Sequence, residues 1–279
     1  MHLAIKPPFN KPVSGGITHG SQEDTIVAPF NNFEAFQERV KGESLACVIL
    51  EPILFAGGCI SADREFVKAV REYCDDTDTL LVFDEIITGF RIGLHGAQGY
   101  YGIKPDLTVL GKIIGGGLPI GAICGRRDIM ERMDHTKHSG LDYAYHGNTF
   151  AGNAITLAAG LAAINVLEHF PVYEHIDRLG KMARDEISNA FEDLGFPAQV
   201  LGVGSMFSIH MTKKTPIRDI SGYENYDHAQ TRKLFYYMLE KGIVMLLPEI
   251  LHGGVTYAHT EKDVKYLGET VREFTELSS

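Results

Sequence analysis

TLLVFDEIITGFRIGLHGAQGYYGIKPDLTVLGKIIGGG (79–117) is the stretch that decides the fold class. It holds two short apolar runs, 79–83 and 107–110. Each stops where residues with chemistry begin: Asp84 and Glu85 after the first, Lys112 after the second. A continuous apolar run of this length, closed by polar or glycine residues, predicts a strand buried on both faces. LACVIL (45–50), stopped by Glu51 and Pro52, reads the same way, and LPIGAIC (118–124) reads as a fourth strand. Between the strands, DREFVKAVREYC (63–74) places Phe66, Val70 and Tyr73 on one helical face. This alternation predicts an α/β chain with a mainly parallel sheet covered by helices.

Toward the C-terminus, a helix at about 152–168 is rich in alanine and glycine, which permits close packing against another element or a subunit. The next helix, about 172–194, carries Val172, Ile176, Leu179, Ala183, Ala190 and Leu194 near helical spacing. Phe207, Ile209 and Met211 alternate as in a half-buried strand. Asp227 is placed to cap a helix running to about 240, and IVMLL (243–247) reads as a strand. Thr260 and Asp263 resemble a capping box before Val264, Leu267, Val271 and Phe274. The expected division is a truncated large domain, 1–170, and a small C-terminal α/β domain, 171–279. Residues 1–24 show no periodic pattern and read as extended loop.

Composition narrows the function classes. Of 279 residues, 44% are hydrophobic and 22% charged, the balance of a globular chain with a sizeable core. A net charge of -10 leaves no electrostatic footprint for nucleic acid. No apolar run reaches the length of a membrane span, and the N-terminus lacks the apolar centre of a signal peptide, so the expected location is the cytoplasm. Cys47, Cys59, Cys74 and Cys124 form no CxxC pair and read as reduced, mostly buried small residues. His135 and His138, on one face of an expected helix, read as a surface pair rather than metal ligands.

In open α/β sheets ligands bind beyond the carboxyl ends of the strands. Glu51, Asp84, Glu85 and Lys112 all fall at such ends, and Gly115, Gly116 and Gly117 follow the lysine. Singly, each has an ordinary structural reading: a carboxylate that holds a loop, a solvated lysine, a glycine turn. The glycines fit no phosphate-binding G-x-x-x-x-G-K-[ST] pattern, because the lysine precedes them. Together they suit pyridoxal 5'-phosphate (PLP) chemistry. There a lysine forms the Schiff base, and an aspartate pairs with the pyridine nitrogen so that the ring accepts electrons.

LLVFDEIITGFRIG (80–93), PDLTVLGKIIGGGLPIGAICGRRDIM (105–130) and HGNTFAGNAITLAAG (146–160) closely resemble the class III aminotransferases. Within that family, the glutamate-1-semialdehyde 2,1-aminomutases and their relatives look nearest. The resemblance runs from about residue 17 to the C-terminus. It implies the fold type I of PLP enzymes: a large domain with a mainly parallel sheet, then a small C-terminal domain. It also implies a cofactor, PLP, and small amino-acid or amine substrates. Lys112 matches the Schiff-base lysine, Asp84 the partner of the pyridine nitrogen, and Ile86 the apolar residue on the ring face. Thr149 matches the threonine that reaches the phosphate of the neighbouring subunit, which implies a homodimer with its site at the interface. Glu51 matches a glutamate near the site, and Gly152 and Asn153 match the start of the following helix.

Three departures accompany the resemblance. Full members carry an N-terminal phosphate-binding turn and an aromatic-His-Gly that stacks on the ring; neither is present, and residue 1 aligns just after that motif. The expectation is therefore a fragment with a large exposed apolar patch where the missing segment would pack. The glutamate that aminomutases carry before their A-H-T motif aligns with Leu251, not with the nearby Glu249. Ala151 stands where serine is common. The expected function is PLP-dependent amino-group transfer, by a transaminase or an aminomutase-like enzyme. The alternative is a catalytically inactive chain that serves only as a dimerisation or binding module.

Overall fold

The computed structural model describes residues 15–246 and 250–278. Two short helices, α1 (His19–Glu23) and α2 (Phe33–Arg39), lead into strand β1 (Cys47–Leu50) and the hairpin of β2 (Ile53–Leu54) and β3 (Ile60–Ser61). Then follow α3 (Arg64–Asp76), β4 (Leu80–Glu85), α4 (Gly96–Tyr101), β5 (Leu107–Gly111), β6 (Gly121–Gly125), α5 (Arg127–Met130) and α6 (Ala154–His169). The C-terminal elements are α7 (Val172–Glu192), β7 (Gln199–Leu201), β8 (Met206–His210), α8 (His228–Glu240), β9 (Leu251–Gly254) and α9 (Glu261–Ser278). No single helix among the described residues is long and apolar enough to cross a membrane.

Packing groups these elements into two compact units that interleave along the chain. One contains Leu45–Pro52 and Val67–Tyr173; the other contains the described residues up to Ser44, Ile53–Phe66 and Glu174–Ser279. A single cut between 170 and 171 therefore does not follow the packing, because N-terminal segments cluster with the C-terminal elements.

The first unit is built on a four-stranded sheet of order β1-β4-β5-β6. β1, β4 and β5 run parallel, with Leu50 opposite Phe83 and Asp84 opposite Val109. β6 is antiparallel to β5, joined by the short glycine-rich turn after Lys112. Leu81 and Phe83 are fully buried at its centre, and Val67, Val70 and Cys74 form the inner face of α3. Asp106 ties the layers together. Its Oδ2 accepts from Arg71 Nη1 and the Leu81 amide, both at 2.8 Å, and its Oδ1 from Arg126 Nη1 at 3.0 Å. Burial alone would raise the Asp106 carboxyl, but the Leu81 amide and the two guanidinium groups hold it below the ordinary carboxylate range.

The expectation that 45–50 is buried on both faces is corrected: β1 is an edge strand, and Ile49 is 68% exposed. An apolar run reports that a strand suits a covered face, not that the cover is in the chain. The fourth strand lies at 121–125, shorter and later than 118–124, and is largely exposed. His135 and His138 sit in a turn region rather than on a helix, so they share no helical face. Further along, Leu141, Tyr145, Phe150, Ile155, Leu161 and Phe170 are all exposed, a run of large apolar side chains along 141–170.

In the second unit β7, β8 and β9 form an antiparallel sheet with β8 in the centre. All five residues of β8 are buried, not half of them as the alternation of Phe207 and Ile209 implies; the polar positions between carry Ser208 and His210, also buried. Ser208 Oγ donates to the Gly58 carbonyl (2.5 Å), and His210 Nε2 lies 2.8 Å from the same oxygen. These polar side chains thus pin β8 to the turn between β2 and β3. Asp227 caps α8 by accepting from the Gln230 amide, and Asp263 accepts from both the amide and the hydroxyl of Thr260 at the start of α9. Residues 243–246 form no strand; Leu246 makes only an isolated bridge to His252, and Leu247 and Glu249 lie outside the described residues. At the other end, α1 is one short helix inside the segment expected to be loop.

Candidate cofactor site

Asp84 and Lys112 stand at the carboxyl ends of adjacent parallel strands. Asp84 pairs in register with Val109, and Lys112 lies three residues beyond Val109, roughly 10 Å along the strand direction. Asp84 is half-buried, and its Oδ1 accepts from the Ile86 amide at 3.1 Å. Its other oxygen takes no hydrogen bond among the described residues. Lys112 is exposed and has no ion pair or hydrogen bond among the described residues. Ile86 rests against the backbone that leads into the lysine: its Cγ2 is 3.3 Å from where a Cβ on Gly111 would stand.

Lys112 opens a tight turn (Lys112–Gly115) with φ +51°, a left-handed conformation that costs a side-chain-bearing residue about 1–2 kcal/mol. Gly116 (φ +58°) follows, and a Cβ there would meet the Ala159 carbonyl at 2.3 Å. From the opposing side, a Cβ on Gly160 would meet the Ile114 carbonyl at 2.1 Å. The small residues of α6 therefore allow backbone-to-backbone contact between that helix and the turn. This fulfils the sequence expectation of a closely packed helix and gives Gly116 and Gly160 a packing role. Asn153 starts α6 by capping it, its side chain accepting from the Thr156 amide at 3.1 Å.

Thr149 lies in the exposed loop before α6 and makes no hydrogen bond among the described residues. Glu51 is half-buried just past β1. Leu251 is fully buried in β9, paired with Ile209, in the other unit. The residue that sequence reasoning left without a role is Glu85. It is 1% exposed and is surrounded by donors: Oε2 accepts from the Ala97 amide (2.5 Å) and Thr88 Oγ1 (3.0 Å), and Oε1 from the amide and side chain of Gln98 (3.3 and 3.1 Å). The only sequence signal for it was an acidic residue ending a buried strand. Glu85, Gln98 and Leu110 also line a cavity of about 460 Å³ whose wall includes Phe90, His95 and Lys104.

The donor set suits PLP. An unspent carboxylate oxygen in a half-buried site matches a protonated ring nitrogen, a free lysine matches an aldehyde, and an apolar side chain beside them matches a ring face.

The chain is similar to known proteins over most of its length. The family profile of the class-III aminotransferases matches residues 5–250. The glutamate-1-semialdehyde 2,1-aminomutase of Methanopyrus kandleri is 39% identical over 264 residues, covering 94% of this chain and 60% of the aminomutase. An omega-transaminase from Sphaerobacter thermophilus superposes with a TM-score of 0.86 at 29% identity, covering 95% of this chain and 60% of its own. A solved transaminase with PLP bound superposes with a TM-score of 0.83, also at 29% identity and over 95% and 60% of the two chains. The chain thus spans about 60% of the length of the relatives it matches. The profile match over most of the sequence places the α/β fold, and the chain belongs to the class-III aminotransferase family.

Proposed function

We propose that this chain carries the cofactor-binding part of a cytoplasmic PLP-dependent amino-group transferase acting on a small amino acid or amine. The observation that carries the reading is Lys112: a lysine with no partner among the described residues, held at positive φ at the end of the strand next to the one that ends at a half-buried Asp84, whose second oxygen takes no hydrogen bond among the described residues. Similarity to a transaminase with PLP bound supports the cofactor.

Bound PLP supplies an electron sink that stabilises negative charge on the substrate carbon. Lys112 Nζ would hold the cofactor covalently and, when not so engaged, would be the base positioned to carry a proton. Asp84, through the oxygen not engaged by Ile86, would accept from a protonated ring nitrogen and hold that proton in place. Ile86 would cover a ring face and keep water from it. Thr149 would serve the phosphate of a cofactor held by a second copy of the chain, so that the site would be shared in a homodimer. The exposed apolar run along 141–170, which contains Thr149, supports that assembly. Leu251, fully buried where aminomutases carry a glutamate, favours a transaminase over the aminomutase reaction.

The same apolar run also suits a non-catalytic chain that only binds a partner. Titration with PLP, borohydride reduction and peptide mapping separate the two. An absorbance band with the pyridoxyl label on Lys112, lost in Lys112→Ala, is the expected result. A folded chain with no band and no label would leave the binding module.

A further inference from the structure

We infer that Glu85 is a positioning residue that fixes Asp84 and Ile86 for the cofactor; the inference rests on the function proposed above. Along β4, side chains alternate between the two faces, so Glu85 points away from Asp84. Its carboxylate is spent entirely on the protein. Thr88 binds it from the loop that follows, and Ala97 and Gln98 bind it from the first turn of α4. Gln98 Nε2 also donates to Thr108 Oγ1 at 3.0 Å, and Thr108 pairs in register with Phe83. The network therefore runs from β4 through α4 to β5 and closes around the last turn of backbone before the site.

The glycines show how tightly that loop is drawn. A Cβ on Gly96 (φ +55°) would lie 2.2 Å from Glu85 Oε2. One on Gly89 would lie 2.7 Å from the Glu85 carbonyl and 2.6 Å from Leu110 Cδ2. With Glu85 anchored at its side chain and its carbonyl bound by the Gly89 amide at 2.9 Å, the peptide planes on either side of it have little freedom. Those planes carry Asp84 and Ile86, and the Ile86 amide is the group that orients the Asp84 carboxylate. Glu85→Gln places an amide nitrogen among donors. It leaves a donor facing Thr88 and Ala97, or facing Gln98, while keeping the side-chain volume.

The test compares the wild-type chain, Glu85→Gln and, as a control, Asp106→Asn, which loosens the same sheet from the far side of β4 and β5. Two readouts are taken: PLP titration with the pH dependence of the bound band, and amide hydrogen exchange of the peptide covering 84–91 without cofactor. Glu85→Gln is expected to weaken PLP binding about tenfold, as for outer-shell groups that orient metal ligands. It should also move the midpoint of the band's pH titration and speed exchange in 84–91. Asp106→Asn should change stability without moving the band. If wild type binds PLP and Glu85→Gln matches it in affinity, pH midpoint and exchange, the positioning role is wrong while the cofactor reading stands. If wild type neither binds PLP nor labels at Lys112, the cofactor reading fails and the positioning role falls with it. If Asp106→Asn moves the band as much as Glu85→Gln, the effect is general loosening and the inference is overturned.

Discussion

Acid should weaken this chain through one buried imidazole. His210 is 1% exposed; its Nε2 faces the Gly58 carbonyl, and its Nδ1 is buried with no partner among the described residues. A second proton would have to sit on Nδ1, where nothing accepts it. Burial accordingly pushes the imidazole from its ordinary 6.5 down to about 4, against the upward pull of the Gly58 carbonyl. Above pH 6.5 folded and unfolded chains both hold it neutral, and the stability is intact. Between pH 6.5 and 4 the unfolded chain takes up a proton that the folded chain refuses, so stability falls as pH falls; below 4 the loss is complete. A gap of this size, at about 1.4 kcal/mol per unit, amounts to about 3 kcal/mol. The assay is urea unfolding of wild type and His210→Gln at pH 8, 6.5, 5.5 and 4.5, with the imidazole titration followed directly by NMR. His252, also lowered by burial, is present in both chains and cancels. The variant is expected to be less stable at pH 8, through the altered contacts to Gly58 and Ser208, and to close that gap by about 2–3 kcal/mol at pH 4.5, most of the full effect. Parallel stability curves for the two proteins, or an imidazole midpoint near 6.5, would refute the reasoning.

Asp106→Ala leaves the Arg71 guanidinium, mostly buried, without its buried partner; it should cost about 3–5 kcal/mol, read as a fall in thermal midpoint. Gly160→Ala sets two effects against each other. Helix propensity favours alanine by about 1 kcal/mol, but a Cβ 2.1 Å from the Ile114 carbonyl is a backbone clash, so a net loss of about 2 kcal/mol is expected and a gain would show that the turn yields. Leu251→Glu, a carboxylate at a fully buried position of β9, should destabilise by several kcal/mol rather than confer aminomutase activity, measured by unfolding and product analysis.

The strand ends were legible in the sequence because their signal is local. An apolar run, a carboxylate or lysine at its end and a glycine turn stand side by side in the text, and the spelling of 80–93 and 105–130 carries the rest. What covers each strand is a different kind of information. β1 reads as buried at both faces and stands at an edge with Ile49 exposed, because periodicity records what a strand suits, not what packs on it. β8 fails in the opposite direction: Ser208 and His210 read as solvent-facing because their partner, the Gly58 carbonyl, lies about 150 residues away. Asp106 is also invisible on this reading. Its partners Arg71, Leu81 and Arg126 are far apart in the chain, and only the fold brings three donors to one carboxylate. Glu85 reads as a strand-end acid and not as a hub, since its donors come from the following loop and from a helix that the apolar pattern does not reveal.

Lys112 is held in a backbone conformation that glycine would occupy without strain. Any procedure that ranks substitutions by folding stability alone should therefore favour glycine or asparagine there, and should erase the lysine early when optimising this chain for heat resistance. Position 112 is one where robustness and chemistry pull in opposite directions. A library of thermally selected variants, sequenced at that codon, would show the conflict directly as a lysine that survives only when turnover is selected as well.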